Sequence, residues 1–133
     1  MIRRHRVLIA DDHRNVLARV AGLLDGEYDV VAAVSDGKAA VDAAVVLRPD
    51  VAILDVSMPR LNGFEAAERI AAAAGSGAPR VVFLTVYEDA EFIEAARRAG
   101  ADGYVLKRAM GTDLLPAVAQ VLAGGSAFPV THD

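Results

Sequence analysis

Four short apolar runs break up the chain: Val7-Leu8-Ile9-Ala10, Val51-Ala52-Ile53-Leu54, Val81-Val82-Phe83-Leu84 and Tyr104-Val105-Leu106. Each is continuous rather than alternating. That is the pattern of a strand covered on both faces, as in a parallel sheet flanked by helices. A fifth run, Val30 to Val34, is weaker but lies at the expected spacing. Between the runs the apolar period changes to that of a helix. Val16, Leu17, Val20, Leu23 and Leu24 fall on one face, with Gly26 as a stop. Asp36 can cap a helix carrying Val41, Ala44, Val45 and Leu47, which ends before Arg48-Pro49. Phe64 to Ala74 is rich in Ala and Glu and breaks at Gly75-Ser76-Gly77, and Glu91 to Ala99 stops at Gly100. A last helix is expected from Thr112-Asp113, with Pro116 in its first turn, to Gly124-Gly125.

Strand then helix, five times over, predicts one doubly wound α/β domain, with a five-stranded parallel sheet and helices on both faces. The expected boundaries are 1–125 for the domain and 126–133 for a tail or the start of a linker.

In such a sheet, ligands bind outside the carboxyl ends of the strands. The residues that close each run therefore matter most. The first run ends in Asp11-Asp12, another in Asp55, another in Thr85 and the last in Lys107. Alone, Asp12 could cap a helix and Asp55, before Met58-Pro59, could open a turn. Together, three acids, a hydroxyl and an ammonium are delivered to one rim. Carboxylates so close raise one another's pKa unless a cation neutralises them. An all-oxygen set without His or Cys suits Mg2+. Such an ion shields an incoming phosphate, Lys107 can pair with a phosphoryl oxygen, and the Thr85 hydroxyl can hydrogen-bond another. The set is suited to an acyl phosphate on an Asp.

Composition narrows the picture further. The 133 residues suffice for one domain, and 54% of them are hydrophobic. A net charge of −4 gives no global attraction to nucleic acid or anionic membranes. The one basic cluster, Arg3, Arg4 and Arg6, reads as a solvated leader. With no cysteine there is no disulfide, thiolate site or Cys nucleophile, which fits a reducing cytoplasm. No apolar run reaches the roughly 18 residues of a membrane span. His5, His13 and His132 have no partners at metal-ligand spacing, and surface roles are expected for them.

From about Arg6 to Gly125 the chain resembles the receiver domains of bacterial two-component response regulators, particularly those carrying a LuxR-type helix-turn-helix output domain. The matching pieces are Leu8-Ile9-Ala10-Asp11-Asp12, Ile53-Leu54-Asp55, Met58-Pro59, Asn62-Gly63, Leu84-Thr85 and Gly100-Ala101-Asp102-Gly103-Tyr104-Val105-Leu106-Lys107. The resemblance implies a flavodoxin-like (βα)5 fold and phosphorylation of Asp55 by a sensor histidine kinase. It implies Mg2+ held directly by Asp12, through water by Asp11, and by Asp55 and the backbone carbonyl of Ser57. It further implies that Thr85 and Lys107 contact the phosphoryl group, and that Tyr104 is a switch aromatic that turns inward as the Thr moves toward the phosphate. Homodimerisation on phosphorylation and a cytoplasmic location go with it. Arg108 stands where many receivers have Pro after the Lys. Val86 is bulkier than the small residue often found after the Thr, so slower phosphoryl access is expected. Ser57 and Tyr87 occupy positions that tune phosphoryl lifetime in the family.

Two other functions compete. A phosphohydrolase using an aspartyl phosphate commonly has a second acid where Ser57 stands, and needs a cap domain that is not seen here. A phosphorylation-independent interaction module would have no use for the complete acid set. No basic recognition helix follows Gly125, so no direct nucleic-acid binding is expected of this domain. The output is expected from a further domain or from protein partners.

Overall fold

A computed structural model describes residues 3–129. The order of elements is β1 (Arg6–Ala10), α1 (Arg14–Leu24), β2 (Asp29–Val34), α2 (Gly37–Leu47), β3 (Val51–Leu54), α3 (Gly63–Ala74), β4 (Arg80–Thr85), α4 (Ala90–Arg98), β5 (Gly103–Leu106) and α5 (Met110–Leu122). The five strands form one parallel sheet in the order β2-β1-β3-β4-β5. This is the doubly wound architecture expected from the sequence.

The continuous apolar runs follow from the two cores. Leu8, Ala10, Ala52, Leu54, Phe83 and Tyr104 point to one face, against Ala40, Ala44, Ala66, Ala67, Ile70, Ile93 and Ala96 of α2, α3 and α4. Val7, Ile9, Val51, Ile53, Val82, Leu84 and Val105 point to the other, against Val20 and Leu24 of α1 and Leu114, Ala117, Val118 and Val121 of α5. Successive strand residues face opposite sides, so both sets must be apolar. The small alanines of α2 and α3 let these helices lie close to the sheet. β2 is an edge strand that is only part-buried, which accounts for its weaker pattern.

Capping fits the sequence in two places. Asp36 accepts from the Ala39 N–H at 2.7 Å, and Asn62 and Glu65 form a capping box at the start of α3. Gly100, with φ +90°, terminates α4 as expected. Several expectations are corrected. α1 ends at Leu24 in a turn through Asp25, without a left-handed glycine. α5 begins at Met110 after a 3-10 turn, Lys107–Ala109, so Pro116 lies in its second turn on the exposed side. The Thr112 hydroxyl donates to the Ala109 carbonyl rather than capping the helix itself. Asp12 does not cap α1 either. That position is His13, with no side-chain cap.

The tail re-enters the fold. Ala127 forms a parallel bridge with Gly103 at the free edge of β5, and its N–H donates to the Asp102 carbonyl at 2.9 Å. His132 and the end of the expected tail lie outside the described residues. Among the described residues, no helix is long and apolar enough to cross a membrane.

Candidate functional site

Strand order reverses between β1 and β3, and the site lies where those two strands end. Their parallel register pairs Ala10 with Leu54, so the next residues, Asp11 and Asp55, emerge side by side. The Asp55 N–H donates to the Ala10 carbonyl at 2.9 Å, and the Asp11 N–H to the Val34 carbonyl at 3.0 Å. Both carboxylates are almost fully buried, at 3% and 4% exposure.

Lys107 joins them from the far side of the sheet. Its Nζ donates to Asp55 Oδ2 at 3.1 Å and lies 2.7 Å from Asp11 Oδ2. The second approach is a close ion pair between largely buried groups. Burial would lower the Lys107 pKa, but the two carboxylates outweigh it and hold it above the ordinary lysine value. The Asp55 carboxyl is pushed up, first by burial and then by the charge of Asp11. Lys107 and the Ser57 N–H, which donates to Oδ1 at 3.4 Å, oppose that rise.

Asp12 is exposed at the rim, and His13 lies between the two acids. Its Nδ1 is 3.0 Å from Asp11 Oδ1 and 3.1 Å from Asp12 Oδ1. Potential ligand atoms of Asp11, Asp12, His13 and Asp55 all lie within 4.8 Å of one another. His13 lies at the surface as expected, but the expectation that it has no partner at metal-ligand spacing is corrected. The loop after β1 folds back, and the His13 N–H also donates to Asp11 Oδ1 at 2.9 Å. Its proximity to Asp11 in sequence was the available signal.

The three carboxylates of this cluster, two of them buried, are a donor set that fits a hard divalent cation such as Mg2+. Ser57 is exposed on the same loop. The approach of α3 to this loop is close: a Cβ on Gly63 would strike the Asp55 carbonyl and come within 2.9 Å of its carbon. Gly63 is thus required for room rather than for φ.

Thr85 is fully buried at the end of β4, and its Oγ1 accepts from the Tyr87 N–H at 3.4 Å. Val86, beside it, is exposed. Tyr104 is buried, and its hydroxyl donates to the Tyr87 carbonyl at 2.6 Å, so the ring is in its inward position. Burial first, then the charges of Asp89 and Asp55, push its phenol up to about 12. Arg108 points outward and pairs with Glu88 on the loop that follows Thr85.

Comparison with known proteins places this geometry in context. The family model for the response regulator receiver domain matches residues 7–119. The transcriptional regulatory protein PdtaR of Mycobacterium tuberculosis (strain H37Rv) is 40% identical over 114 residues, 85% of this chain and 54% of the relative. The nitrate/nitrite response regulator protein NarL of Escherichia coli (strain K12) is 36% identical over 120 residues, 89% of this chain and 55% of the relative. The chain therefore spans about half the length of these curated relatives. A two-component response regulator of the LuxR family from Aurantimonas sp. SI85-9A1 superimposes with a TM-score of 0.87 at 31% identity, covering 94% of this chain and 89% of that one. The non-phosphorylated receiver domain of the stress response regulator RcsB from Escherichia coli gives a TM-score of 0.85 at 27% identity, covering 96% and 100%.

Proposed function

The chain belongs to the response regulator receiver domain family, and from that premise we propose that it is the phosphoacceptor switch of a two-component system, modified on Asp55 by a sensor histidine kinase. The observation that carries this reading is the meeting of Lys107 with the buried Asp11 and Asp55 at the point where the strand order reverses.

In this reading an oxygen of the Asp55 carboxylate attacks phosphorus on the kinase's phosphohistidine. The P–N bond breaks with its electron pair going to the imidazole nitrogen, and an acyl phosphate remains on Asp55. Lys107, already 3.1 Å from Asp55 Oδ2, pairs with a phosphoryl oxygen as a point charge, and the Thr85 hydroxyl donates to another. Asp11, Asp12, Asp55 and the Ser57 backbone carbonyl would hold Mg2+. When bound, Mg2+ offsets the charge that carboxylate and phosphoryl oxygens bring together. Water attack on phosphorus later releases inorganic phosphate and restores the carboxylate. The chain acts only on its own phosphorylation state and is not an enzyme toward other substrates.

Output lies beyond the phosphoacceptor. The relatives are named as transcriptional regulators, and this chain matches about half of their length. We therefore assign it to cytoplasmic signalling upstream of transcription. Tyr104 reports the state of Asp55, homodimerisation follows phosphorylation, and a further domain or protein partner makes any contact with DNA. The net charge of −4 supports the absence of direct nucleic-acid binding here.

The test is incubation with Mg2+ and acetyl phosphate, read by intact mass, with Asp55→Asn in parallel. One added phosphoryl group that needs Mg2+ and is absent from the variant is expected. No gain, together with no binding of beryllofluoride, would sink the proposal in favour of a phosphorylation-independent interaction module.

A further inference from the structure

The segment after α5 is built into the edge of the switch. β5 would otherwise be an open edge strand, with its outward N–H and C=O groups in water. Here the Tyr104 N–H donates to the Ala127 carbonyl at 2.8 Å, and the Ala127 N–H donates to the Asp102 carbonyl at 2.9 Å. A Cβ on Gly103 would lie 3.2 Å from Val82 Cγ2, a tight contact, and 3.4 Å from the Ala127 oxygen, an ordinary one. Upstream, the Gln120 side-chain amide donates to the Ser126 carbonyl, and the Gly125 N–H to the Gln120 carbonyl at 2.9 Å. Ala127 packs on the core under α1 and α5, and Phe128 on the core under α2 to α4, so the segment wraps over the sheet edge.

These contacts close a ring. The Tyr104 hydroxyl reaches the Tyr87 carbonyl, two residues beyond Thr85. The Tyr87 ring stacks on Phe92 of α4, with centroids 4.3 Å apart. The guanidinium of Arg97, also on α4, lies 3.9 Å above the Phe128 ring. Phe128 follows Ala127, which holds the Tyr104 main chain. Phe128 also walls a groove of about 330 Å³ between β5 and α5 that borders Tyr104. Removing its ring would widen that groove and lower the cost for the tyrosine of leaving its inward position.

We propose that Ala127 and Phe128 are positioning residues for the Tyr104 switch: the strap Ser126–Phe128 holds the inward tyrosine, so its docking and the occupancy of Asp55 strengthen each other. This rests on the phosphoacceptor reading above. Linkage makes the coupling reciprocal: a strap that favours the phosphoryl-like state must itself be tightened by that state. The matched region is 54% and 55% of two curated relatives, and a segment that followed the strap would be placed to sense its docking.

The test compares the full chain with Phe128→Ala and Ala127→Pro, the latter removing the N–H that donates to Asp102. Affinity for beryllofluoride in saturating Mg2+, and for Mg2+ alone, would be measured by calorimetry. Both variants are expected to bind beryllofluoride ~5-fold or more weakly with Mg2+ affinity unchanged, and Phe128→Tyr to recover it. In the parent chain, beryllofluoride should slow exchange of the Ala127 and Tyr104 amides by a similar factor. Parent-like affinity in both variants, exchange indifferent to beryllofluoride, or equal loss of Mg2+ and beryllofluoride binding would each overturn the inference. Failure of the parent chain to bind beryllofluoride would instead remove the phosphoacceptor reading, and the inference with it.

Discussion

Lys107 places its ammonium 3.1 Å from Asp55 Oδ2 across 52 positions of sequence, and 2.7 Å from Asp11 Oδ2. It is the cation that makes two buried neighbouring carboxylates tolerable in the metal-free protein. Replacing it by Met leaves two like charges facing each other out of water. Lys107→Met should lose ~3 kcal/mol of stability at neutral pH without metal, and millimolar Mg2+ should restore part of it. Urea midpoints with and without Mg2+ check this, and an unchanged midpoint without metal would show that the ammonium is not the compensating charge.

Asp55 itself should behave in the opposite way. Its pKa is raised in the fold, chiefly by burial, so folding favours the neutral form. That contribution is complete below the unfolded carboxyl pKa and is lost as pH rises through the higher folded value. At neutral pH the ionised group therefore weighs against the fold, and Asp55→Asn removes the cost. Without Mg2+ the variant should be more stable, with a higher melting temperature at neutral pH. The gain should shrink as pH falls toward the ordinary carboxyl range. A gain independent of pH would contradict the assignment.

The inward ring of Tyr104 carries a second pH signature. With its phenol pushed up to about 12, its share of stability is intact below the usual value near 10 and is lost as pH rises through about 12. Absorbance titration near 295 nm should show a late phenolate step that Tyr104→Phe lacks. That variant also strips the Tyr87 carbonyl of its donor, at a cost of ~1 kcal/mol. A Tyr104 step near pH 10 would mean that the ring is solvated in solution.

Gly63→Ala tests how tightly the loop is drawn against Asp55. The new methyl would collide with the Asp55 carbonyl, backbone that cannot give way as a flexible side chain could. A loss of ~2 kcal/mol or more is expected, with phosphorylation by acetyl phosphate impaired beyond what the folded fraction explains. Wild-type behaviour would show that the loop has slack.

Val86 bears on phosphoryl access. It is exposed beside buried Thr85, so Val86→Ala should leave stability within about 0.5 kcal/mol. Phosphorylation by acetyl phosphate and self-dephosphorylation should both become a few-fold faster. Unchanged rates would dismiss the valine as a barrier.

The sequence by itself determined the architecture, because the physics involved is local. Continuous apolar runs mark strands buried on two faces, helical period and Gly or Asp punctuation mark what lies between, and the carboxyl ends of parallel strands share one rim. Asp11, Asp55, Thr85 and Lys107 could be named on that basis, each being the residue at which a run stops. Other features depended on three-dimensional neighbours. Which of the apolar residues of α2 face the sheet was decided there: Ala40 and Ala44 pack against it, while Val45 is exposed. His13 joined the acids only because the loop after β1 turns back on itself. The capture of Ala127 by the β5 edge came from the tertiary structure alone. A backbone contact between segments 24 positions apart has no periodicity to announce it.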